Sequence, residues 1–563
     1  SIFPILLPRT IAGIPEKESA AFFFMFLAFY LFLASWNSKK EIPRYLLAFL
    51  AGLSTAAMAN IWGAYVYIYL GIAVPSLIAF LIGKVGKKET STYSIWLFTS
   101  FIVIVFISKK FTINEIIHST YISSSIAVLF IFIMHFILFN TKIKAYLEKG
   151  YHSKIPNRAT TLIISLIILF ILSFVFFGQN FVANELSDLK SQLVKPATSR
   201  LIQTVAENKQ PYFTEWSQSF GPVFRNIPIT FWLFLLGSIY LFYFILAQFN
   251  KKDRILLTIS YVYLLLALIF TRYSGNSTFN GENTISIFIY FSGFIVFTLT
   301  ILFYYYKYHK NNEFSKFESI NFNLIFISVF SLFTIISARG LIRLVMLLAI
   351  PVSIIISYFA VSVFYDLRKW KESYKLFSWL IIGFVLLLMI FSGYALYNQI
   401  SSEAAQYAPA TYNQQWQKAM AWVRDNTPSD SVFAHWWDYG YWLQSIGERA
   451  TILDGGNLRS YWNHLMGRYV LTGRENKDAL EFLYAHNATH FLIDSSDIGK
   501  YTAFSFIGSD KNLDRSSYIS SLLKDPSQTQ ETKNSTIYAY FGGTTLDDDL
   551  TYDLDGKRIF LPA

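Results

Sequence analysis

The sequence predicts a polytopic α-helical membrane domain followed by an extracytoplasmic mixed α/β domain. Three observations carry that expectation. Of 563 residues, 54% are hydrophobic and 19% aromatic, and the mean hydropathy is +0.39, more apolar than a water-soluble chain of this length tolerates. Apolar runs able to cross a hydrocarbon core about 30 Å thick recur as far as residue 396. After about residue 400 they give way to short strand-like and helix-like stretches separated by turn residues. The expected boundaries are 1–398 for the membrane domain and 399–563 for the outer domain.

The apolar runs lie near 20–36, 43–60, 62–83, 95–108, 122–140, 160–178, 229–248, 255–271, 285–306, 322–338, 343–364 and 376–396, so about twelve spans are expected. Basic residues test the threading independently of hydropathy. Lys39, Lys40 and Arg44, then Lys84, Lys87 and Lys88, Lys142, Lys144 and Lys149, Lys251, Lys252 and Arg254, Lys307 and Lys310, and Arg368, Lys369 and Lys371 fall in alternate connections, as the positive-inside rule requires. Lys109 and Lys110 are the exception. This orientation puts residues 1–19, a long outer loop 179–228 and everything after 397 in one extracytoplasmic compartment. In the outer domain a helix is expected near Asn413–Arg424, strands at Ser431–Ala434, Ala450–Leu453 and Thr489–Ile493, and a helix near Lys477–His486.

The formal charge of +11 would fit a nucleic-acid partner if it were concentrated, but most of the Lys and Arg sit in the short loops that set topology, so no nucleic acid is expected. The absence of cysteine excludes disulfides and thiolate metal sites. The chain starts at Ser1 without the pattern of a cleavable leader, and it is expected to lack an N-terminal part.

One aromatic stretch heads the polar domain: His435-Trp436-Trp437-Asp438-Tyr439-Gly440-Tyr441-Trp442. Two adjacent indoles beside a carboxylate make a rigid wall with one hydrogen-bond acceptor, suited to a side chain that carries a methyl and a hydroxyl. The alternative is an aromatic plug in a core, in which Asp438 would be costly unless something donates to it. Residues Trp436–Gly440 resemble the WWDYG signature of the catalytic subunit of oligosaccharyltransferase, which transfers a lipid-linked glycan to asparagine in Asn-X-Ser/Thr sequons.

Four other segments, in the same chain order as in that family, extend the resemblance. Glu16-Lys17-Glu18 follows Arg9-Thr10 and resembles the family's metal-binding acidic pair, with Glu in place of the first Asp; carboxylates opening a helix would look the same. Thr204-Val205-Ala206-Glu207 resembles the SVSE/TIXE motif, whose glutamate lies beside the acceptor asparagine, and also has the shape of a helix capping box. Arg339 and Arg343, four apart and therefore expected on one helical face, are either snorkelling cations or phosphate ligands, and the stretch around Arg343 resembles the VRLML-type segment. Asp494, Asp497 and Lys500 form a solvated turn or resemble the second element of the sequon pocket, either Asp497–Lys500 as DxxK with Phe504 in the apolar position or Asp494–Lys500 as the DxxMxxK variant with Asp497 in place of Met.

The resemblance implies a GT-C membrane enzyme of the single-subunit archaeal type. It would move an oligosaccharide from a polyprenyl (dolichyl) phosphate or diphosphate to Asn of Asn-X-Ser/Thr in acceptor polypeptides, with inversion. It implies Mg²⁺ or Mn²⁺ held by Glu16, Glu18 and an Asp upstream of this chain, Arg343 and Arg9 on the lipid phosphate, and Glu207 on the acceptor amide. Trp436, Trp437, Asp438 and Lys500 would hold the sequon hydroxyl. Two alternatives remain: a GT-C protein O-mannosyltransferase, which has no use for a sequon pocket, and a transporter, which predicts ionisable groups in mid-span.

Overall fold

The computed structural model describes residues 3–10, 17–107, 111–112, 119–144, 155–194, 209–221, 223–368, 374–406, 412–457, 459–519, 523–534, 536–541, 550–554 and 557–561. Lys109, Lys110, Lys149, Lys369 and Lys371 lie outside them. The chain divides into two compact units, Ser1–Thr411 and Tyr412–Ala563.

The first unit is helical. Its elements are α1 (Lys17–Asn37), α2 (Glu41–Ile61), α3 (Val66–Leu81), α4 (Lys87–Ile107), α5 (Thr120–Phe139), α6 (Asn157–Val194), α7 (Phe213–Ser219), α8 (Ile229–Ile245), α9 (Lys251–Phe270), α10 (Thr284–Lys310), α11 (Phe322–Gly340), α12 (Val345–Arg368) and α13 (Lys375–Gln406). Among the described residues eleven helices are long and apolar enough to span a membrane, and α8 is a shorter apolar one. Together they cover the twelve expected runs. Large apolar side chains such as Phe23, Tyr30, Phe288 and Leu299 face outward, as the lipid-facing surface of a bundle requires.

With hydrocarbon outside, helix association rests on close packing and on polar bonds between helices. Trp96 Nε1 donates to Thr55 Oγ1 at 3.0 Å, Tyr69 Oη to Ser100 Oγ at 3.0 Å and Tyr93 Oη to the Ser125 carbonyl at 2.9 Å, which ties α2, α3, α4 and α5 together. Helix α12 serves two cores: Met346, Leu347 and Ile350 pack with α1–α5, whereas Val345, Leu348, Ala349 and Val352 pack with α8 and α9. The turn that leads into α12 is therefore fixed on both sides. Buried charged residues among the described part of this unit, Glu18, Arg44, Asp253, Arg272 and Arg339, sit at the ends of spans, which removes the mid-span groups a transporter would need.

Two expectations are corrected here. Residues 179–194 are not loop, because α6 continues to Val194 and only redirects at Gly178, whose φ of 78° favours glycine. Arg339 and Arg343 do not share a helical face. Helix α11 ends at Gly340, Leu341 is extended, and Arg343 sits in a separate 3₁₀ turn, Ile342–Leu344.

The second unit is built on a three-stranded parallel sheet in the order β2–β1–β3, with β1 Val432–Ala434, β2 Ala450–Thr451 and β3 His490–Phe491. Helix α14 (Gln414–Asn426), whose first turn is capped by Asn413, precedes β1; α15 (Gly440–Ser445) joins β1 to β2. Helix α16 (Ser460–Leu465), a π-helical turn Met466–Leu471 and α17 (Asn476–Ala485) join β2 to β3, and α18 (Asp497–Gly508) follows β3. Two antiparallel pairs end the unit: β4 (Leu523–Glu531) with β5 (Thr536–Phe541), and β6 (Leu550–Leu554) with β7 (Lys557–Leu561). The expected strands and helices of residues 413–493 are present, the strands shorter by one to three residues and the helices shifted by one or two at their ends. The helix beginning at Asp497 and the four last strands were not foreseen.

Arg449 locks this unit. Its buried guanidinium donates to the Thr427 hydroxyl at 2.9 Å and to the carbonyls of Arg424 and Thr427 at 2.6 Å each, joining the end of α14 to the start of β2. Arg449→Met, which keeps much of the volume but orphans those acceptors, is expected to cost about 2–4 kcal/mol. A tryptophan-fluorescence melt unchanged from wild type would contradict this.

Candidate functional site

The aromatic motif leaves the carboxyl end of β1, the central strand. The chain turns to β2 on one side and returns past β1 to β3 on the other, so the crevice beyond the ends of β1 and β3 lies at a topological switch point, where α/β sheets bind ligands. Residues from both strand ends meet there. Asp438 comes from the 3₁₀ turn Trp437–Tyr439 after β1, and Lys500 from the first turns of α18 after β3.

Lys500 Nζ lies 2.8 Å from Asp438 Oδ2, donates to Tyr439 Oη at 2.9 Å, and sits 3.7 Å from Asp497 Oδ1. Tyr439 passes the bond on, its hydroxyl donating to Asp497 Oδ1 at 2.6 Å. Burial alone would push the Lys500 ammonium down; the hydrogen bonds and charges of Asp438 and Tyr439 outweigh it and hold the group up at about 12. Asp497 also accepts from the Asp494 amide at 3.0 Å, while the Ser496 hydroxyl and, at 2.9 Å, the Ser496 amide hold the Asp494 carboxyl below the usual range. Lys500 thus reaches Asp497, and Asp494 shapes the turn that presents it.

Aromatic rings fix the rest. Trp416 of α14 stacks on Tyr439 with centroids 5.1 Å apart, and buried Trp436 packs on Phe504 at 4.7 Å. A Cβ on Gly440 would fall 2.5 Å from the Leu453 carbonyl oxygen, so only glycine lets α15 approach the exit of β2 this closely. His435 is fully buried, with Nδ1 on the Trp436 carbonyl, and burial pushes its imidazole below the ordinary range. Two polar features of this turn are left open. Trp437 Nε1 is buried with no hydrogen-bond partner, and the side chain of Asp438 is 29% exposed.

The membrane-unit residues are arranged separately. Glu18, in the first turn of α1, is fully buried, and its Oε1 is ion-paired with Arg343 Nη2. Its other oxygen, Oε2, has no hydrogen-bond partner, and Arg9 is within electrostatic range. Arg339 turns elsewhere, donating to the Leu268 carbonyl at 2.9 Å with its guanidinium 4.3 Å from the Tyr290 ring. Glu16 and Glu207 lie outside the described residues, and among the described residues no group of three or more His, Asp and Glu forms a ready metal cage.

Residues 429–547 match the family model of the STT3/PglB/AglB core domain. The matched span begins just before β1 and includes both the Trp436–Gly440 turn and Lys500. The chain is similar to dolichyl-phosphooligosaccharide-protein glycotransferase 1 of Pyrococcus furiosus, 27% identical over 224 residues, a match covering 39% of this chain and 22% of that protein. It is also similar to the dolichyl-phosphooligosaccharide-protein glycotransferase of Methanococcus voltae, 29% identical over 177 residues, covering 30% and 18%. The solved oligosaccharyltransferase AglB of Archaeoglobus fulgidus, in complex with an inhibitory peptide and a dolichol-phosphate, superposes with a TM-score of 0.64 at 16% identity, over 97% of this chain and 60% of that one. At that identity the likeness speaks to the fold, a helical membrane part with a small-sheet C-terminal domain. A further structure of the A. fulgidus protein, with a TM-score of 0.51, is a complex with Zn and sulfate. The chain spans less than two thirds of the length of these relatives.

Sequence reasoning brings Asp438 and Lys500 together only through the resemblance and does not find Tyr439 as the bridge from Lys500 to Asp497. The phenol's place in the motif was visible, but its partner fifty-eight residues on, Asp497, depends on strand order.

Lys500 carries a raised pKa, so its contribution to stability is complete below the ordinary lysine value of 10.5 and is lost as pH climbs through about 12. Wild-type melting temperature is expected to fall over that interval more steeply than that of Lys500→Met; parallel curves would rule out the network.

Proposed function

We propose that the chain is the catalytic part of an oligosaccharyltransferase that transfers an oligosaccharide from a polyprenyl (dolichyl) phosphate or diphosphate to the side-chain amide of Asn in Asn-X-Ser/Thr. The observation that carries the reading is that one turn holds both a Trp437 N–H without a hydrogen-bond partner and the part-exposed Asp438 carboxylate. A hydroxyl is both donor and acceptor, and this pair offers it one of each. The neighbouring indole surface suits the threonine methyl.

In the membrane unit Glu18, Arg343 and Arg9 are the residues proposed for the lipid-phosphate end. The buried Oε2 of Glu18, without a partner, is a hard oxygen suited to Mg²⁺ or Mn²⁺, with Glu16 two residues earlier as a second donor. When bound, such a cation supplies positive charge against the leaving phosphate. Arg343 holds Glu18 through one oxygen and has further N–H groups for a phosphate. Glu207 is proposed to orient the acceptor amide for attack on the sugar C1, where the C–O bond to the phosphate breaks as the C–N bond forms, with inversion. The A. fulgidus structure, with its dolichol-phosphate and peptide, supports a lipid carrier and a peptide acceptor. The location is proposed to be the cell membrane, multi-pass, with the core domain extracytoplasmic and one subunit sufficient.

Asp438→Ala is expected to weaken binding of an Asn-X-Thr peptide by about 1–3 kcal/mol, roughly 5- to 150-fold. Thr peptides should bind better than Ser peptides by up to about 0.8 kcal/mol, one buried carbon. Calorimetric affinities unaffected by Asp438→Ala would refute the sequon pocket. For the metal, Glu18→Gln is expected to weaken Mn²⁺ binding roughly tenfold or more, read by the loss of bound-ion signal in electron paramagnetic resonance. Unchanged Mn²⁺ affinity would return Glu18 to a purely structural ion pair with Arg343.

A further inference from the structure

At the opposite end of the helices from Glu18, the ends of α3, α5 and α10 and the start of α6 enclose a cavity of about 440 Å³. Its polar lining includes His135, Lys144, Arg158 and His309, with Glu318 as the acidic member. Arg158 Nη1 donates to the Phe80 carbonyl at 2.9 Å, which anchors the guanidinium and leaves it four further N–H donors. The Thr161 hydroxyl donates to the Asn157 carbonyl at 2.9 Å, so it accepts from His135 Nδ1, also at 2.9 Å, and His135 carries its proton on Nδ1. Glu318 is exposed and lies within electrostatic range of both Lys84 and Arg158. Arg158 and Lys144 are the cations of the lining.

The remaining walls are apolar: Leu81, Phe139, Pro156 and Phe314. From this mouth two lipid-facing rows run into the bundle surface, Ile133 and Ile137 on α5, and Ile163, Leu166, Ile167 and Phe170 on α6, each 40% exposed or more. A soluble anion would have no use for such rows; two hydrocarbon chains would lie along them.

We infer that this cavity binds the phosphate headgroup of an anionic membrane lipid, whose chains run along the exposed faces of α5 and α6. Arg158 and Lys144 contact the phosphate oxygens and His309 donates from the flank. The site is distinct from the proposed lipid-phosphate end at Arg343 and does not depend on that reading.

The test uses the full chain in detergent micelles and three probes: phosphatidic acid, phosphatidylcholine of the same chains, and inorganic phosphate. Binding is read by native mass spectrometry and by the shift in melting temperature. Phosphatidic acid is expected to bind and raise the melting temperature, phosphatidylcholine to bind at least tenfold more weakly, and inorganic phosphate to give no shift at the same concentration. Lys144→Gln with His309→Gln, which spares the Arg158 anchor and the core, is expected to weaken phosphatidic acid about tenfold or more, the loss for a charge-assisted hydrogen bond; Arg158→Gln should do so further. Equal binding of the two lipids, or undiminished binding by the double variant, overturns the site. Inorganic phosphate binding as tightly as phosphatidic acid overturns the lipid assignment in favour of a soluble phosphate compound.

Discussion

The second unit depends on one ammonium group. Lys500 joins Asp438, from the end of β1, to Asp497 and Tyr439 across the crevice at the end of β3. Without it two carboxylates would face one another in a partly buried space, a repulsion that would splay the turn from the helix. With it, the turn carrying both indoles is locked to α18, and Phe504 one turn further along that helix closes against Trp436.

The membrane unit solves the same electrostatic problem with less solvent. Glu18 is fully buried at the start of α1, and one guanidinium on the turn before α12 compensates it. A buried pair of this kind contributes little to stability, since desolvation offsets most of the attraction. Its use is positional. Helix α12 packs into both helical cores, so Arg343 is held from behind, and the carboxylate oxygen left over on Glu18 is the feature a structural ion pair alone does not explain.

Sequence alone conveyed the hydrophobic architecture well, because a bilayer demands runs of a fixed length and each of the twelve is long or nearly so. It conveyed less where the cause is three-dimensional. Gly340 and Leu341 break the helix between two arginines that spacing placed on one face, and only packing shows Arg339 reaching the Leu268 carbonyl while Arg343 reaches Glu18. The polar stretch after Gly178 lacks a span's apolarity, so it reads as loop, yet its composition still supports helix. In the core domain the motif itself was legible. Choosing between Asp494 and Asp497 for Lys500 required knowing that α18 starts at Asp497, which puts that carboxylate and the lysine one turn apart.

Why a lysine rather than a neutral donor should face Asp438 follows from what a ligand does to the pocket. On the proposed reading, a peptide laid over the indoles removes water from the carboxylate, and an isolated carboxylate loses several kcal/mol when its water is taken away. Asp438 already has its charge met at 2.8 Å and is only part exposed, so covering it removes little further hydration. The hydroxyl that arrives then finds an acceptor whose desolvation is largely complete and a Trp437 N–H that had no partner before it came. A ligand lacking the hydroxyl covers the same atoms and satisfies neither. On the proposed reading, discrimination against sequences without Ser or Thr comes less from the strength of the new hydrogen bonds than from the cost of sealing this acceptor and donor unpaired.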